Sequence, residues 1–122
     1  EAAMLVARAG QPLNGIGRAI ETVAAHHKLT IIRNLGSHGV GRALHEAPEF
    51  IPAFYDPKDT RMLKEGMVIT IEPFLSNGAT HVDESSDGWT LFTEPKYLSA
   101  QYEHTLVITK GQPLVMTLAD AF

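Results

Sequence analysis

The sequence has 122 residues, a formal net charge of −4, 44% hydrophobic residues and no cysteine. This length accommodates one domain or part of one, and the hydrophobic fraction is that of a globular protein with a real core. The lack of cysteine excludes disulfides, thiolate zinc sites and a thiol nucleophile in this sequence, and no basic run indicates nucleic acid or an anionic membrane as a partner.

Two helices are predicted first along the chain. Residues 1–8 are typical of a short helix that ends near Gly10. Residues 13–27 are the clearer helix, because apolar side chains recur there at three- and four-residue steps. The predicted apolar face consists of Leu13, Ile16, Ile20, Val23 and His27. Because the first helix begins at Glu1 without a preceding cap, we expect a processed chain or one that is part of a longer protein.

The segments that follow the helices are predicted to be mostly irregular. Residues 30–33 are β-branched and predict a short strand. Residues 34–41 are dense in glycine and are predicted to form a loop. Residues 47–59 carry three prolines, which favour extended or looped backbone.

Two later strands are predicted, over residues 67–72 and 102–109, and each carries one carboxylate, Glu72 or Glu103. Residues two positions apart in a strand share a face, so Thr70 lies on the same face as Glu72. Shorter strands are predicted over residues 89–93 and 114–118, the second after a turn at residues 110–113. Helices followed by antiparallel-looking strands predict an α+β fold.

Four residues are the strongest functional candidates: His38, His45, Glu72 and Glu103. Imidazoles and carboxylates are the ligands of hydrolytic divalent-metal sites, and this set suits Co, Mn, Fe or Zn. A carboxylate in a buried strand must be paired, hydrogen-bonded or metal-bound. The residues alone leave other interpretations open: a salt bridge or a solvent-facing edge strand for the glutamates, and surface positions for the histidines.

Four ordered segments resemble the type I methionine aminopeptidases of the pita-bread metallohydrolase superfamily. They are residues 37–48, 63–73, 87–90 and 98–105. The similarity extends from about residue 1 to about residue 118 and so covers nearly the whole chain. It implies half of a pita-bread fold, with an antiparallel sheet and helices on one face.

The resemblance also implies roles for individual residues. His38, Glu72 and Glu103 are implied metal ligands, and Glu103 is implied to bridge two metals and to take part in proton transfer. His45 is implied to be a catalytic residue that contacts the substrate near the scissile peptide bond. Trp89 is implied to bind substrate by shaping the methionine pocket. The implied cofactors are divalent metal ions (Co, Mn, Fe or Zn), two in the intact enzyme.

The sequence departs from the family in several places. Ser37 stands where the family often has glycine, and Leu44 stands where an aromatic pocket residue is common. The family also uses two aspartate ligands and a further histidine from an N-terminal half, and none of the residues before His38 is an aspartate. We therefore expect residues 1–122 to be the C-terminal half of a methionine aminopeptidase-like catalytic domain, truncated at the N-terminus and weak or inactive alone.

The predicted function is a cytoplasmic metalloexopeptidase that removes N-terminal methionine from peptides and nascent proteins by metal-hydroxide attack. No nucleic acid or membrane partner is expected. Self-association, or pairing with an N-terminal half, is expected because a half-domain exposes an apolar face. Two alternatives remain open: a non-catalytic pita-bread module that binds a peptide or protein, and an aminopeptidase with X-Pro specificity.

Overall fold

The computed structural model describes residues 1–119 of the chain, which form two helices and ten strands. Helix α1 spans Ala2–Val6 and helix α2 spans Asn14–His26. The strands are β1 (Thr30–Ile31), β2 (Gly36–Gly39), β3 (Glu46–Pro52), β4 (Val68–Ile71), β5 (Phe74–Ser76), β6 (Asp83–Glu84), β7 (Leu91–Phe92), β8 (Ser99–Gln101), β9 (His104–Val107) and β10 (Leu114–Val115). Within residues 1–119, neither helix has the length and hydrophobicity that crossing a bilayer requires.

The strands form three antiparallel groups. The largest is a five-stranded sheet in the order β10-β9-β4-β2-β3, a second sheet has the order β1-β5-β8, and β6 pairs with β7 as a hairpin. Both helices contribute to the same buried cluster as the five-stranded sheet. The predicted α+β class, with an antiparallel sheet and helices packed on one side, is confirmed.

The core lies between α2 and the five-stranded sheet. The buried face of α2 presents Ile16 and Ile20, as its apolar periodicity predicts. Ile69 of β4 and Leu106 of β9 are paired across the ladder and are fully buried in the same cluster. Because alternate residues of β4 point to opposite faces, Thr70 and the residue after the strand, Glu72, face away from this core.

The loop predicted over residues 34–41 is wrong at its centre, while residues 34, 35, 40 and 41 lie outside the strands as predicted. Residues 36–39 form β2, a strand between β3 and β4 in the five-stranded sheet. The glycines there allow close packing rather than turning: a Cβ on Gly36 would meet the Phe50 ring at 2.5 Å, and a Cβ on Gly39 would collide with the Ala47 carbonyl. Periodicity does not distinguish such a strand from a glycine-rich loop.

The two predicted glutamate strands are shorter than expected, and the carboxylates lie just outside them. Glu72 follows β4 and Glu103 precedes β9. The β4–β9 ladder ends at Ile71 opposite His104, and the β5–β8 ladder resumes in the same register with Phe74 opposite Gln101. Proline at position 73 has no N–H to donate, which fits an interruption of the ladder here.

The remaining predicted elements are confirmed with shorter bounds. Helix α1 ends two residues before the predicted residue 8, and the predicted strand at residues 89–93 is reduced to β7. The turn at residues 110–113 leads into β10, which pairs with β9 as a hairpin. Residues 83–84 form β6, which pairs with β7.

Candidate functional site

His38 lies on β2 with a defined ring orientation. Its Nδ1 is 2.7 Å from the carbonyl oxygen of Gly39. A carbonyl oxygen only accepts hydrogen bonds, so Nδ1 carries a proton and Nε2 is the ring atom that is free to bind a ligand. Anchoring of the second ring nitrogen by a backbone carbonyl is the usual arrangement of a metal-binding histidine.

Glu72 faces this free nitrogen. The distance between His38 Nε2 and Glu72 Oε1 is 3.0 Å, and the two side chains are only 10% and 14% exposed. If Nε2 carried a lone pair with nothing between the two atoms, that lone pair would face a carboxylate oxygen, which is repulsive. A divalent cation bound to both atoms would replace this repulsion by attraction. His38 and Glu72 are called the paired site below.

The carboxylate of Glu72 has further partners that orient it. The hydroxyl of Thr70 donates to Oε1 at 2.9 Å, and the side-chain amide of Gln101 donates to Oε2 at 3.0 Å. The backbone N–H of Glu72 donates to the hydroxyl of Ser37 at 3.0 Å. Hydrogen bonds of this kind fix the direction of a carboxylate.

Sequence reasoning did not identify Ser37, Thr70 or Gln101 as parts of the site. One signal was present, since Thr70 precedes Glu72 by two positions and therefore shares its strand face. Ser37 was singled out only as a departure from glycine, and Gln101 only as part of a motif. Their contacts join separate segments of the chain, which a strand pattern does not predict.

His45 also lies beside the paired site. Its ring centroid is 4.2 Å from that of His38, with a tilt of 45° between the planes. His45 is exposed and belongs to an irregular segment before β3. That segment is closed by the Glu46 side chain, whose Oε1 accepts the backbone N–H of Ala43 at 2.8 Å. The structure thus brings a second imidazole next to the paired site.

Glu103 and Trp89 are both exposed to solvent. Glu103 was predicted in an otherwise buried strand, with a solvent-facing edge as the alternative, and continuation of the β4–β9 register places it across from Glu72. Trp89 is 87% exposed on the turn between β6 and β7. His45, Trp89 and Glu103 are called the exposed rim below.

The turn that carries Trp89 is held by Asp87. The carboxylate of Asp87 accepts hydrogen bonds from the Thr90 hydroxyl at 2.6 Å and from the backbone N–H groups of Thr90 and Trp89 at 2.8 and 2.9 Å. The Thr90 hydroxyl, followed by the two backbone donors, lowers the pKa of Asp87 to about 2. This network defines the backbone of the turn but does not contact the Trp89 ring.

The donors of the paired site fit a divalent metal, although they do not form a complete ligand set. One anchored imidazole and one oriented carboxylate are the donor types that such ions take. Within residues 1–119, no group of three or more His, Cys, Asp or Glu side chains is arranged to hold a metal ion. The ligand role of Glu103 and the substrate roles of His45 and Trp89 therefore stay predictions.

An open apolar depression adjoins the paired site. Phe74, Leu91 and Phe92 line it together with Gln101, whose amide also binds Glu72. Further polar groups in the lining are those of Thr93, Tyr97 and Ser99. Apolar side chains with a few polar groups are typical of a ligand-binding site.

Comparison with known proteins agrees with the resemblance to methionine aminopeptidases. The model of metallopeptidase family M24 matches residues 1–110. The methionine aminopeptidase of Staphylococcus epidermidis is 46% identical over 120 residues, which are 98% of this chain and 48% of that protein. Methionine aminopeptidase 2 of Bacillus subtilis is 48% identical over 111 residues, or 91% and 45% of the two chains.

A solved structure shows the same fold. The crystal structure of methionine aminopeptidase from Rickettsia prowazekii superimposes with a TM-score of 0.88 at 38% identity, covering 96% of this chain and 47% of that one. The chain thus spans about half the length of the curated relatives it matches. The predicted likeness to the pita-bread proteins is confirmed by this superposition.

Proposed function

Because the chain belongs to metallopeptidase family M24, we propose that it forms the C-terminal half of a methionine aminopeptidase catalytic domain. The proposed activity is metal-dependent removal of N-terminal methionine from peptides and nascent proteins. The buried pair of His38 Nε2 and Glu72 Oε1, 3.0 Å apart, is the observation that carries this proposal. Similarity to methionine aminopeptidases over nearly the whole chain supports it.

In this proposal, His38, Glu72 and Glu103 would hold the divalent ions of a two-metal site. When bound, such ions activate water as a nucleophile and polarise the carbonyl of the substrate. Glu103 is exposed, as a residue that moves protons to and from water would be. Co, Mn, Fe and Zn all accept imidazole and carboxylate donors.

His45 is proposed to contact the substrate beside the scissile peptide bond. Its ring lies 4.2 Å from that of His38, so a carbonyl bound at the paired site would be within reach of a second imidazole. An imidazole N–H in this position stabilises the oxyanion that develops as the carbonyl is attacked.

The methionine side chain is proposed to occupy the apolar depression. Trp89 is not one of the residues that line the depression, and its proposed part in shaping the methionine pocket rests on the resemblance and on the position of its hairpin. The depression exposes Leu91 and Phe92 from the hairpin that also carries Trp89. Apolar contact of this kind provides binding and orientation rather than chemistry.

Several exposed apolar side chains support pairing with an N-terminal half. Leu44, Leu98 and Tyr102 are each more than 70% exposed. Exposed apolar patches favour association. Analytical ultracentrifugation of the chain, alone and with an N-terminal half from a methionine aminopeptidase relative, tests this. A chain that stays monomeric at high concentration and ignores the added half contradicts the pairing.

A non-catalytic binding module is a second candidate, favoured by one observation. Within residues 1–119, the paired site is not extended to three metal-binding side chains. Such a module would retain the apolar depression and the exposed apolar side chains, but it would release no amino acid from peptides.

The proposed activity is tested by methionine release from a Met-Ala peptide with Co²⁺ or Mn²⁺, using the chain together with an N-terminal half from a relative. We expect Glu72→Gln and Glu103→Gln to lower the rate by more than ~100-fold, because each removes a charged ligand. Glu94→Gln is the control, since Glu94 is exposed and, within residues 1–119, its carboxylate pairs only with Lys96.

Three outcomes would contradict the proposal. Unchanged methionine release by Glu72→Gln would show that the paired site is not needed for the activity. Release from X-Pro peptides in preference to Met-Ala peptides would assign the other exopeptidase specificity. Tight peptide binding without release, when both halves are present and folded, would favour the binding module.

A further inference from the structure

The backbone amides of both residues in the paired site are bound by side-chain hydroxyls instead of carbonyl oxygens. The N–H of His38 donates to Thr70 Oγ1 at 3.1 Å, and the N–H of Glu72 donates to Ser37 Oγ at 3.0 Å. Ser37 precedes His38 on β2, and Thr70 shares its strand face with Glu72. The exchange is therefore reciprocal, because a hydroxyl from each segment binds the amide of the other segment's candidate ligand.

Beyond the end of the backbone pairing between β2 and β4, these hydroxyls accept the amide hydrogen bonds that carbonyl oxygens would otherwise accept. The described pairing consists of Gly39 opposite Ile69, followed by the N–H of Val40 on the Val68 carbonyl. Ser37 and Thr70 are each only 2% exposed. A buried hydroxyl or amide without a partner is costly, so the two segments are held at the spacing that satisfies these four groups.

The Thr70 hydroxyl also decides where the Glu72 carboxylate points. It accepts the His38 N–H, and its single proton is within reach of two acceptors, Glu72 Oε1 at 2.9 Å and the His38 carbonyl at 3.4 Å, of which Oε1 is the closer. Oε1 is the same oxygen that faces His38 Nε2 at 3.0 Å. One threonine thus contacts the backbone of the first candidate ligand and the carboxylate of the second.

We infer that Ser37 and Thr70 are positioning residues that hold His38 Nε2 and Glu72 Oε1 in place for a divalent metal ion. This inference rests on the proposed function. It also gives a role to Ser37, whose hydroxyl accepts the hydrogen bond of the Glu72 amide.

The inference is tested by calorimetric titration of the full 122-residue chain with Co²⁺ alone. We expect Thr70→Val to weaken Co²⁺ binding by about 10-fold or more, which is the usual effect of losing a group that orients a ligand. Thr70→Ser keeps the hydroxyl and is expected to stay within about 3-fold of the parent chain. Ser37→Ala removes one amide contact and is expected to have a smaller effect than Thr70→Val.

Ser76→Ala is the matched control. Ser76 is also 2% exposed, and its hydroxyl also accepts a backbone amide, that of Ala79, but it contacts neither His38 nor Glu72. We expect unchanged Co²⁺ affinity in Ser76→Ala. The inference is overturned if Thr70→Val binds Co²⁺ like the parent chain, or if Ser76→Ala weakens binding as much as Thr70→Val does.

A metal-free readout separates this inference from the proposed function. In a crystal structure of metal-free Thr70→Val, we expect His38 Nε2 and Glu72 Oε1 to separate beyond hydrogen-bonding distance. An unchanged distance between these two atoms would contradict the positioning role of Thr70. Failure of the parent chain to bind Co²⁺ would instead contradict the metal site, while the crystal structure would still decide whether Thr70 orients Glu72.

Discussion

The paired site is buried and hydrogen-bonded on several sides, whereas the exposed rim lies in solvent on three separate segments. His38 and Glu72 are held by β2, β4 and the hydroxyls between them. Trp89, by contrast, projects from a hairpin of two short strands that is closed mainly by the Asp87 network.

This difference shows that the position of a functional side chain is fixed by the buried residues that pack against its own strand. The backbone of β4 is supported by the fully buried Ile69, which packs into the central core. No comparable layer lies behind Trp89, since Leu91 and Phe92 of its own hairpin are also exposed. The paired site is thus shaped by this chain, and the rim is free to adapt to a substrate or a pairing partner.

The largest expected effect contrasts the core behind the paired site with the hairpin. Ile69→Ala should lower the free energy of unfolding by about 2–5 kcal/mol, because Ile69 is 0% exposed and its loss leaves a cavity. Trp89→Ala should change it by less than about 0.5 kcal/mol, because Trp89 is 87% exposed. Urea denaturation measures both values. Equal losses would show that the hairpin is part of the cooperative core.

A smaller effect is expected from added bulk beside His38. A Cβ at position 39 would collide with the Ala47 carbonyl, so Gly39→Ala should cost about 1–3 kcal/mol and displace β2. Gly111→Ala is the control, because a Cβ there meets nothing within 4 Å. Thermal unfolding measures the loss, and the His45 ring signals in NMR report the shift of His38. A neutral Gly39→Ala would mean that β2 is not closely packed.

The smallest expected effect is local to the hairpin and depends on pH. The pKa of Asp87 is lowered to about 2, chiefly by the Thr90 hydroxyl, so the turn is favoured by the ionised carboxylate. This contribution is present above the ordinary pKa of 3.8 and is lost as the pH falls through about 2. The amide signals of Trp89 and Thr90 should therefore shift with a midpoint near pH 2.

Removing the Thr90 hydroxyl, the main cause of the lowered Asp87 pKa, tests this prediction directly. Thr90→Val deletes the hydroxyl and should move the midpoint upward, toward 3.8, without changing the urea midpoint of the whole chain. A midpoint near 3.8 in the unmodified chain would show that the Asp87 network is not formed in solution.

Much of the fold could be predicted from local patterns. The apolar period of α2 and the alternation in β4 and β9 are direct consequences of burying one face, and they survive in the structure with bounds changed by a few residues. The glycine-rich strand β2 could not be predicted this way, since its glycines are required by the close approach of Phe50 and Ala47 from β3.

The candidate site was predicted as residues but not as contacts. His38, His45 and Glu72 were identified from their motifs, and the structure brings them together. Ser37, Thr70 and Gln101 were not identified as partners, because their role depends on which segments meet. Glu103 was predicted in an otherwise buried strand, with a solvent-facing edge as the alternative, and the structure shows it exposed.

The sequence by itself determined the fold class, the family and the residue types that suit a divalent metal, because these follow from periodicity and from short motifs. Only the tertiary structure decided that Glu72 faces His38 at 3.0 Å and that Ser37 and Thr70 bind their amides. Such contacts depend on strand order and on the register between segments more than 30 positions apart. Local propensities do not specify that register; the packing of the buried strands does.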